Sequence, residues 1–348
     1  MELLTGERVW RTYTGGKLLD LLHQKDISKD THFPEEWMFS TTRARNSGRE
    51  DIVEGLSYLK NDNIRFLDYL KNNPEILGKD HLNKWGENLG VLVKLIDSNE
   101  RLTIQVHPNN QKAEELFNSK FGKTEAWHIL KTRTEETFIY LGFKENISKE
   151  YFIKCFKEQR LDDMLECLNK IKVKAGETYL VKGGVPHAIG ADCLILEVQE
   201  PTDYTIRVEK TTPSGFKIDD LMCHQGLGFK KMFECFDFNG ISEENIRKKY
   251  QMQEKKCILA EGITMEEIIT YNETPCFSLS KLEISKEYKL KNKNNYTCLY
   301  VVEGSGKIQS SLKEIELNKN SQLFISADEE VRILGEDLKL LLIKGPKS

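Results

Sequence analysis

Apolar positions change their period several times along the chain. The segment 36–41 (EWMFST) gathers aromatic and Thr residues and suits a strand. From 50 to 86 the texture is richer in Leu, Lys, Asn and Glu. Ile64, Leu67 and Leu70 recur there near helical spacing over 62–71, and Pro74 follows. After Leu89 the pattern turns β-rich. The runs 90–96 (GVLVKLI) and 102–107 (LTIQVH) predict strands, then Pro108-Asn109-Asn110 opens a helical stretch over 111–121. Strand character resumes at 126–130 and 137–143. Residues 148–170 read as helical, with Ser148 as cap and Phe152, Cys155 and Phe156 on one face. A second strand-rich run covers 171–208, broken at Gly176, Gly183-Gly184, Pro186 and Gly190. Residues 214–272 are mixed, with a helical piece at 242–253, and 277–343 returns to short strands. Short strands with Gly/Pro turns favour a sandwich or barrel over a βαβ sheet.

Composition narrows the function. The 348 residues suggest about two domains. With 51 Lys+Arg against 55 Asp+Glu, the formal charge is −4. No basic excess points to nucleic acid, and no polybasic cluster points to anionic lipid. The first residues lack a basic stretch followed by an apolar run, so no secretory signal is expected. Eight cysteines, none in a C-x-x-C pair, are expected as reduced thiols of a cytoplasmic protein, outside the chemistry.

Candidate chemistry lies between 103 and 207. In a strand, Gln105 and His107 share a face, as two metal ligands would need; the plainer reading is a surface histidine beside a turn. Lys123 and Glu125 also share a face if extended, and could be a ligand with a nearby cation or a solvated pair. The turn Gly183-Gly184-Val185-Pro186 delivers His187 to the start of a strand. Glu197 and Arg207 complete the set, Arg207 requiring an anion partner if buried. Gln, His, Glu and His on strands of one β-rich region form a mixed N/O set. Such a set with open positions suits a catalytic divalent metal that polarises a hydroxyl or carbonyl.

The strings 102–108 (LTIQVHP), 122–127 (GKTEAW) and 185–190 (VPHAIG), with Glu35-Glu36-Trp37 before them, resemble the class I mannose-6-phosphate isomerases of the cupin superfamily. The resemblance is dense over 89–208. It implies a mainly β fold with helical insertions, made of two cupin-like jelly-roll sandwiches, the C-terminal one without a metal site. The expected division is 1–45 with 87–213 as the catalytic domain, 46–86 as a helical insertion, 214–272 as a connecting segment and 273–348 as the degenerate cupin. The resemblance implies one divalent ion per chain, usually zinc, held by Gln105, His107, Glu125 and His187. Thr103, Lys123 and Arg207 match substrate-binding positions. Arg207, Glu197 and Lys123 match catalytic ones, although Ile206 stands where the family carries an aromatic.

The implied reaction interconverts mannose 6-phosphate and fructose 6-phosphate through an enediolate. Glu197 is a candidate proton shuttle, with Lys123 as rival or helper. For the phosphate, Lys123, Lys210 and Arg43 are the candidates, in falling order. An isomerase or epimerase for another sugar phosphate, or a sugar-binding regulatory module, are the competing readings. The expected partner is a small sugar phosphate, with neither nucleic acid nor membrane, and the chain a monomer or homodimer. In the C-terminal half, Ser326-Ala327-Asp328-Glu329 stands where a metal histidine would be, and no histidine follows His224.

Overall fold

The computed structural model describes residues 1–348. Its N-terminal half is a sandwich of two antiparallel sheets. The larger sheet orders Thr178–Val181, Glu125–Thr132, Cys193–Gln199, Leu92–Ser98, Glu35–Met38 and Glu7–Val9. The smaller orders Ile206–Arg207, Gln105–Val106, His187–Ile189, Phe138–Phe143 and Leu168–Lys172. Their facing side chains, Ile96, Trp127, Ile129 and Ile195 against Ile139, Leu141 and Ile189, form one buried cluster. Side chains alternate across a strand, so the opposite faces need covers of their own. Helices Lys149–Glu158 and Leu161–Glu166 and the segment 232–236 cover the smaller sheet through Phe152, Phe156, Met164 and Phe233.

The outer face of the larger sheet is covered by the C-terminal half. Val93, Leu95, Leu194, Leu196 and Val198 share a core with Leu279, Cys298, Tyr300, Phe324, Leu341 and Ile343. The strand Cys193–Gln199 is therefore buried on both faces, which explains its nearly unbroken apolar run CLILEVQ. The C-terminal half is a ten-stranded sheet around its own core of Leu282, Leu299, Val301, Ile308, Ile333 and Leu340. Its long strands Thr297–Gln309 and Glu330–Lys344 pair through register shifts between Val301 and Ser305. Such bulges bend paired strands and let a sheet fold over a core.

The structure redraws several expected boundaries. The strand Glu2–Thr5, expected with the catalytic domain, pairs with Gln322–Ile325 in the C-terminal sheet, and Leu4 enters the shared core. The strands Lys255–Ala260 and Ile263–Ile269, expected in the connecting segment, also join that sheet. Strand pairing across hundreds of residues leaves no local signature, so pattern reading divided the chain by sequence neighbourhood instead. The strand expected over 102–107 is reduced to Gln105–Val106. Asp328 accepts from the Asn294 N–H, and Glu329 accepts from the Ser326 N–H and pairs with the Met1 ammonium at 2.7 Å. All eight cysteines are free. No helix is long and apolar enough to cross a membrane.

Because one core joins both halves, Leu341→Ala should destabilise them together. The expected loss is about 2–5 kcal/mol, seen in urea as a single transition shifted to lower midpoint rather than two separate ones.

Candidate metal centre

The two-residue strand Gln105–Val106 lies between His187–Ile189 and Ile206–Arg207, with Gln105 in register with both His187 and Arg207. His107 follows at its end. Both histidines are buried and both are held by Nδ1: His107 against the Tyr204 carbonyl at 2.7 Å, His187 against the Val185 carbonyl at 2.9 Å. A carbonyl only accepts, so each Nδ1 carries the proton and each Nε2 presents a lone pair. Glu125, the first residue of its strand, brings Oε1 to 3.1 Å from His107 Nε2 and Oε2 to 3.7 Å from His187 Nε2. The Gln105 amide lies 3.3 Å from His187 Nε2, and either end of an amide can be turned to the gap.

Two imidazole lone pairs and a carboxylate thus converge with no proton of their own to share. The three ligand atoms lie within 4.8 Å of one another, and Glu125 Oε1 is buried without a hydrogen bond of good geometry. This donor set fits a divalent ion. The Lys123 ammonium reaches the same gap, 3.0 Å from Glu125 Oε1 and 3.2 Å from His107 Nε2. Burial, reinforced by Lys123 against the pull of Glu125, brings His107 down to about 3, and burial lowers His187 as well. Neutral imidazoles are the form that binds metal. Burial opposes ionisation of Glu125, but His107 and then the Lys123 ammonium hold its carboxyl well below the usual range.

The larger sheet supplies the next residues by its period of two. Glu35, Lys94, Glu125 and Glu197 all occupy inward positions, alternating with residues of the shared core such as Val93, Leu95, Leu196 and Val198. Lys94 pairs with Glu197 at 2.9 Å, and Arg11 pairs with Glu35 at 3.0 Å and Asp203 at 3.2 Å. Trp127 Nε1 donates to Glu125 at 3.1 Å and Glu197 at 3.2 Å, tying the two carboxylates together. Tyr13 and Trp37 each donate to Glu35 at 2.7 Å. Burial raises Glu35, yet Arg11 and Lys94 bring it down to about 2. Glu197 goes the other way: burial and then the Glu125 charge push it up to about 7, in spite of Lys94. An acid near neutrality inside a cavity is suited to exchanging a proton.

The structure brings Thr103, Gln105, Lys123, Glu125, Glu197 and Arg207 to one cavity, with His107 and His187 at the metal end. Arg207 is half-buried and donates to the carbonyls of Thr205 and Met222 at 3.2 Å. The acids that could have paired with it are taken, Glu209 by Arg101 and Asp203 by Arg11. Lys210 is not in this cavity; its ammonium bonds Asp220 at 2.8 Å and lies over Phe229. Arg43 lines an adjoining compartment. Sequence reading missed Arg11, Tyr13, Lys94 and Asp203 as site residues, and named Glu35 only within the Glu35-Glu36-Trp37 segment, without a role. Lys94, a single charge inside the apolar run GVLVKLI, carried a local signal, whereas Arg11, Tyr13 and Asp203 did not.

A jelly-roll sandwich with His, His and Glu converging inside is a cupin-type metal centre. The comparisons agree. The family "Phosphomannose isomerase type I, catalytic domain" matches residues 8–125, and "Mannose-6-phosphate isomerase, cupin domain" matches 267–342. A probable mannose-6-phosphate isomerase of Bacillus subtilis, GmuF, is 30% identical over 283 residues, covering 79% of this chain and 81% of its own. The chain belongs to the type I phosphomannose isomerase family. Among solved structures, the mannose 6-phosphate isomerase of Bacillus subtilis aligns with a TM-score of 0.77 at 22% identity over 98% of both chains. A mannose 6-phosphate isomerase bound with zinc and yttrium aligns at 0.72 and 16% identity over 99% of both chains. The catalytic-domain match ends at Glu125, so His187, Glu197 and Arg207 stand on the geometry above.

Lys94→Met should leave Glu197 buried without its ion partner and cost about 3–5 kcal/mol in urea unfolding. Adding Glu197→Gln to that variant should restore much of the loss; a double variant no more stable than the single one would contradict the pairing.

Proposed function

We propose that this chain interconverts mannose 6-phosphate and fructose 6-phosphate with a zinc ion held by Gln105, His107, Glu125 and His187. The observation that carries the reading is the convergence of two lone-pair-bearing imidazoles and an ionised carboxylate beside a carboxyl poised near neutrality. Membership of the phosphomannose isomerase family supplies the substrate pair, and the zinc found in a protein of the same fold supports the metal.

When bound, the divalent ion supplies a Lewis acid that orders and polarises the sugar oxygens. Thr103 lines the cavity, where its hydroxyl can bond a sugar oxygen. Glu197, held by Lys94 and Trp127, takes a proton from one carbon of the C1–C2 pair and returns it to the other. Isomerisation needs a group that both accepts and gives a proton, and a value near the working pH serves both directions. Arg207, whose guanidinium meets only carbonyl oxygens, stabilises negative charge on the sugar between the two transfers. Lys123 orients Glu125 and can donate to a substrate oxygen.

The cavity's charges agree with such a substrate. Arg11, Lys94, Lys123 and Arg207 are balanced by Glu35, Glu125, Glu197 and Asp203, four against four. A divalent ion turns that balance positive, so the site attracts an anion without a basic protein around it.

Elemental analysis should find about one zinc per purified chain, as a site with this many protein ligands implies. Glu125→Ala or His187→Ala should lose both the zinc and the isomerisation of mannose 6-phosphate; full turnover in either variant would refute the metal centre. As a base, Glu197 must be ionised, so kcat/KM should climb with pH along a limb at or below about 7, a bound dication lowering it. Glu197→Gln should remove that limb and reduce kcat/KM by about 10²–10⁴.

A further inference from the structure

The metal cavity adjoins a second compartment, and Asp203 lines both. One wall of the outer compartment is the segment 42–47, whose backbone is pinned at successive residues. Ala44 N–H donates to the Glu54 carbonyl at 2.9 Å, and Arg45 N–H to Asp203 Oδ2 at 2.8 Å. Asn46 donates to the Trp10 carbonyl at 2.9 Å and accepts from Arg11 at 3.1 Å. Ala44 and Asn46 are buried, whereas Arg43 and Arg45 are exposed and line the compartment. Extended alternation on a fixed backbone therefore presents two guanidinium groups at the mouth of the site.

These two cations differ from those deeper in. Arg11, Lys94 and Lys123 are each neutralised by a carboxylate. Arg45 has no carboxylate in ion-pair range; its guanidinium lies over the Tyr204 ring, 5.0 Å from the centroid, and that ring stacks on Phe117 at 4.4 Å. Arg43 donates only to the carbonyls of Glu50 and Ile52. The acids of the compartment are already engaged. Asp203 accepts from Arg11 and from Arg45 N–H, and Glu50 accepts from Gly48 N–H at 3.0 Å. Tyr204 ties this mouth to the metal end, because its carbonyl holds His107 while its ring supports Arg45.

We propose that Arg45, flanked by Arg43, anchors the phosphate ester of the sugar substrate at this mouth and so sets the preference for phosphorylated over free sugars. The proposal rests on the isomerase reading above. A planar guanidinium with free N–H groups matches a phosphate oxygen pair. Its support on an aromatic ring and a pinned backbone reduces the ordering cost of binding.

The test compares zinc-loaded wild type, Arg45→Gln, Arg45→Lys and the double variant Arg43→Gln/Arg45→Gln. For Arg45→Gln, KM for mannose 6-phosphate and the inhibition constant of inorganic phosphate should both rise about tenfold, the loss falling on KM rather than kcat. The double variant should lose more, Arg45→Lys should recover part, and zinc content should stay at the wild-type level. Unchanged KM and unchanged phosphate inhibition would overturn the proposal. So would a fall in kcat and zinc content at constant KM, which would mean that Arg45 acts only through Tyr204 and His107. If wild type fails to turn over mannose 6-phosphate, the isomerase reading fails instead. The anchor is then decided by thermal unfolding: a phosphate-dependent rise in Tm lost in Arg45→Gln supports it, and a rise that persists overturns it.

Discussion

The strand Cys193–Gln199 is clamped between two apolar cores, and the geometry of the site follows from that confinement. Leu194, Leu196 and Val198 belong to the core shared with the C-terminal half, so Glu197 has no direction left but inward. A slip of one residue would bury the carboxylate among leucines and expose apolar side chains to the cavity, which makes the register costly to change. The neighbouring strand obeys the same rule, and in consequence Lys94 lies in register with Glu197. The charged interior depends on hydrophobic packing on the far side of the sheet.

That dependence gives the second half of the molecule a role without a metal of its own. It serves as the apolar cover for a sheet whose other face must carry charge. Its acidic turn at Asp328 and Glu329 is engaged by the Asn294 and Ser326 N–H groups and the Met1 ammonium, while Gln322 donates to Glu36 across the boundary at 2.8 Å. Glu35, Lys94, Glu125 and Glu197 interrupt the apolar inner face around Ile96, Trp127, Ile129 and Ile195, and that face gives up part of its hydrophobic stabilisation. The other face has to supply it.

What could be read from the sequence divides along the same physical line. Gln105, His107, Glu125 and His187 sit in short strings whose turn chemistry and spacing are local, and the structure brings all four together. Glu197 and Arg207 were legible as charges in a β-rich run. Arg11 and Asp203 were not, because their meaning lies in partners far away in the chain: 192 residues separate Arg11 from Asp203. Lys210 stood second to Lys123 as a phosphate candidate, and only the fold shows that its ammonium bonds Asp220 outside the cavity. Strand spacing pointed to a sandwich or barrel, and the family resemblance implied two sandwiches. The pairing of Glu2–Thr5 with Gln322–Ile325 was not legible, since a four-residue strand at the start carries no mark of its destination.

That pairing also constrains how the molecule comes into being. Residues 2–5 leave the ribosome long before residues 322–325 exist, so this strand can meet Tyr58–Leu59 early but lacks its other partner through most of synthesis. The C-terminal sheet cannot be completed around an already finished N-terminal half, because part of it is made from that half's beginning. Contacts of such long sequence separation form late and slowly. The apolar cover behind the larger sheet is complete only when Gln322–Ile325 has paired with Glu2–Thr5.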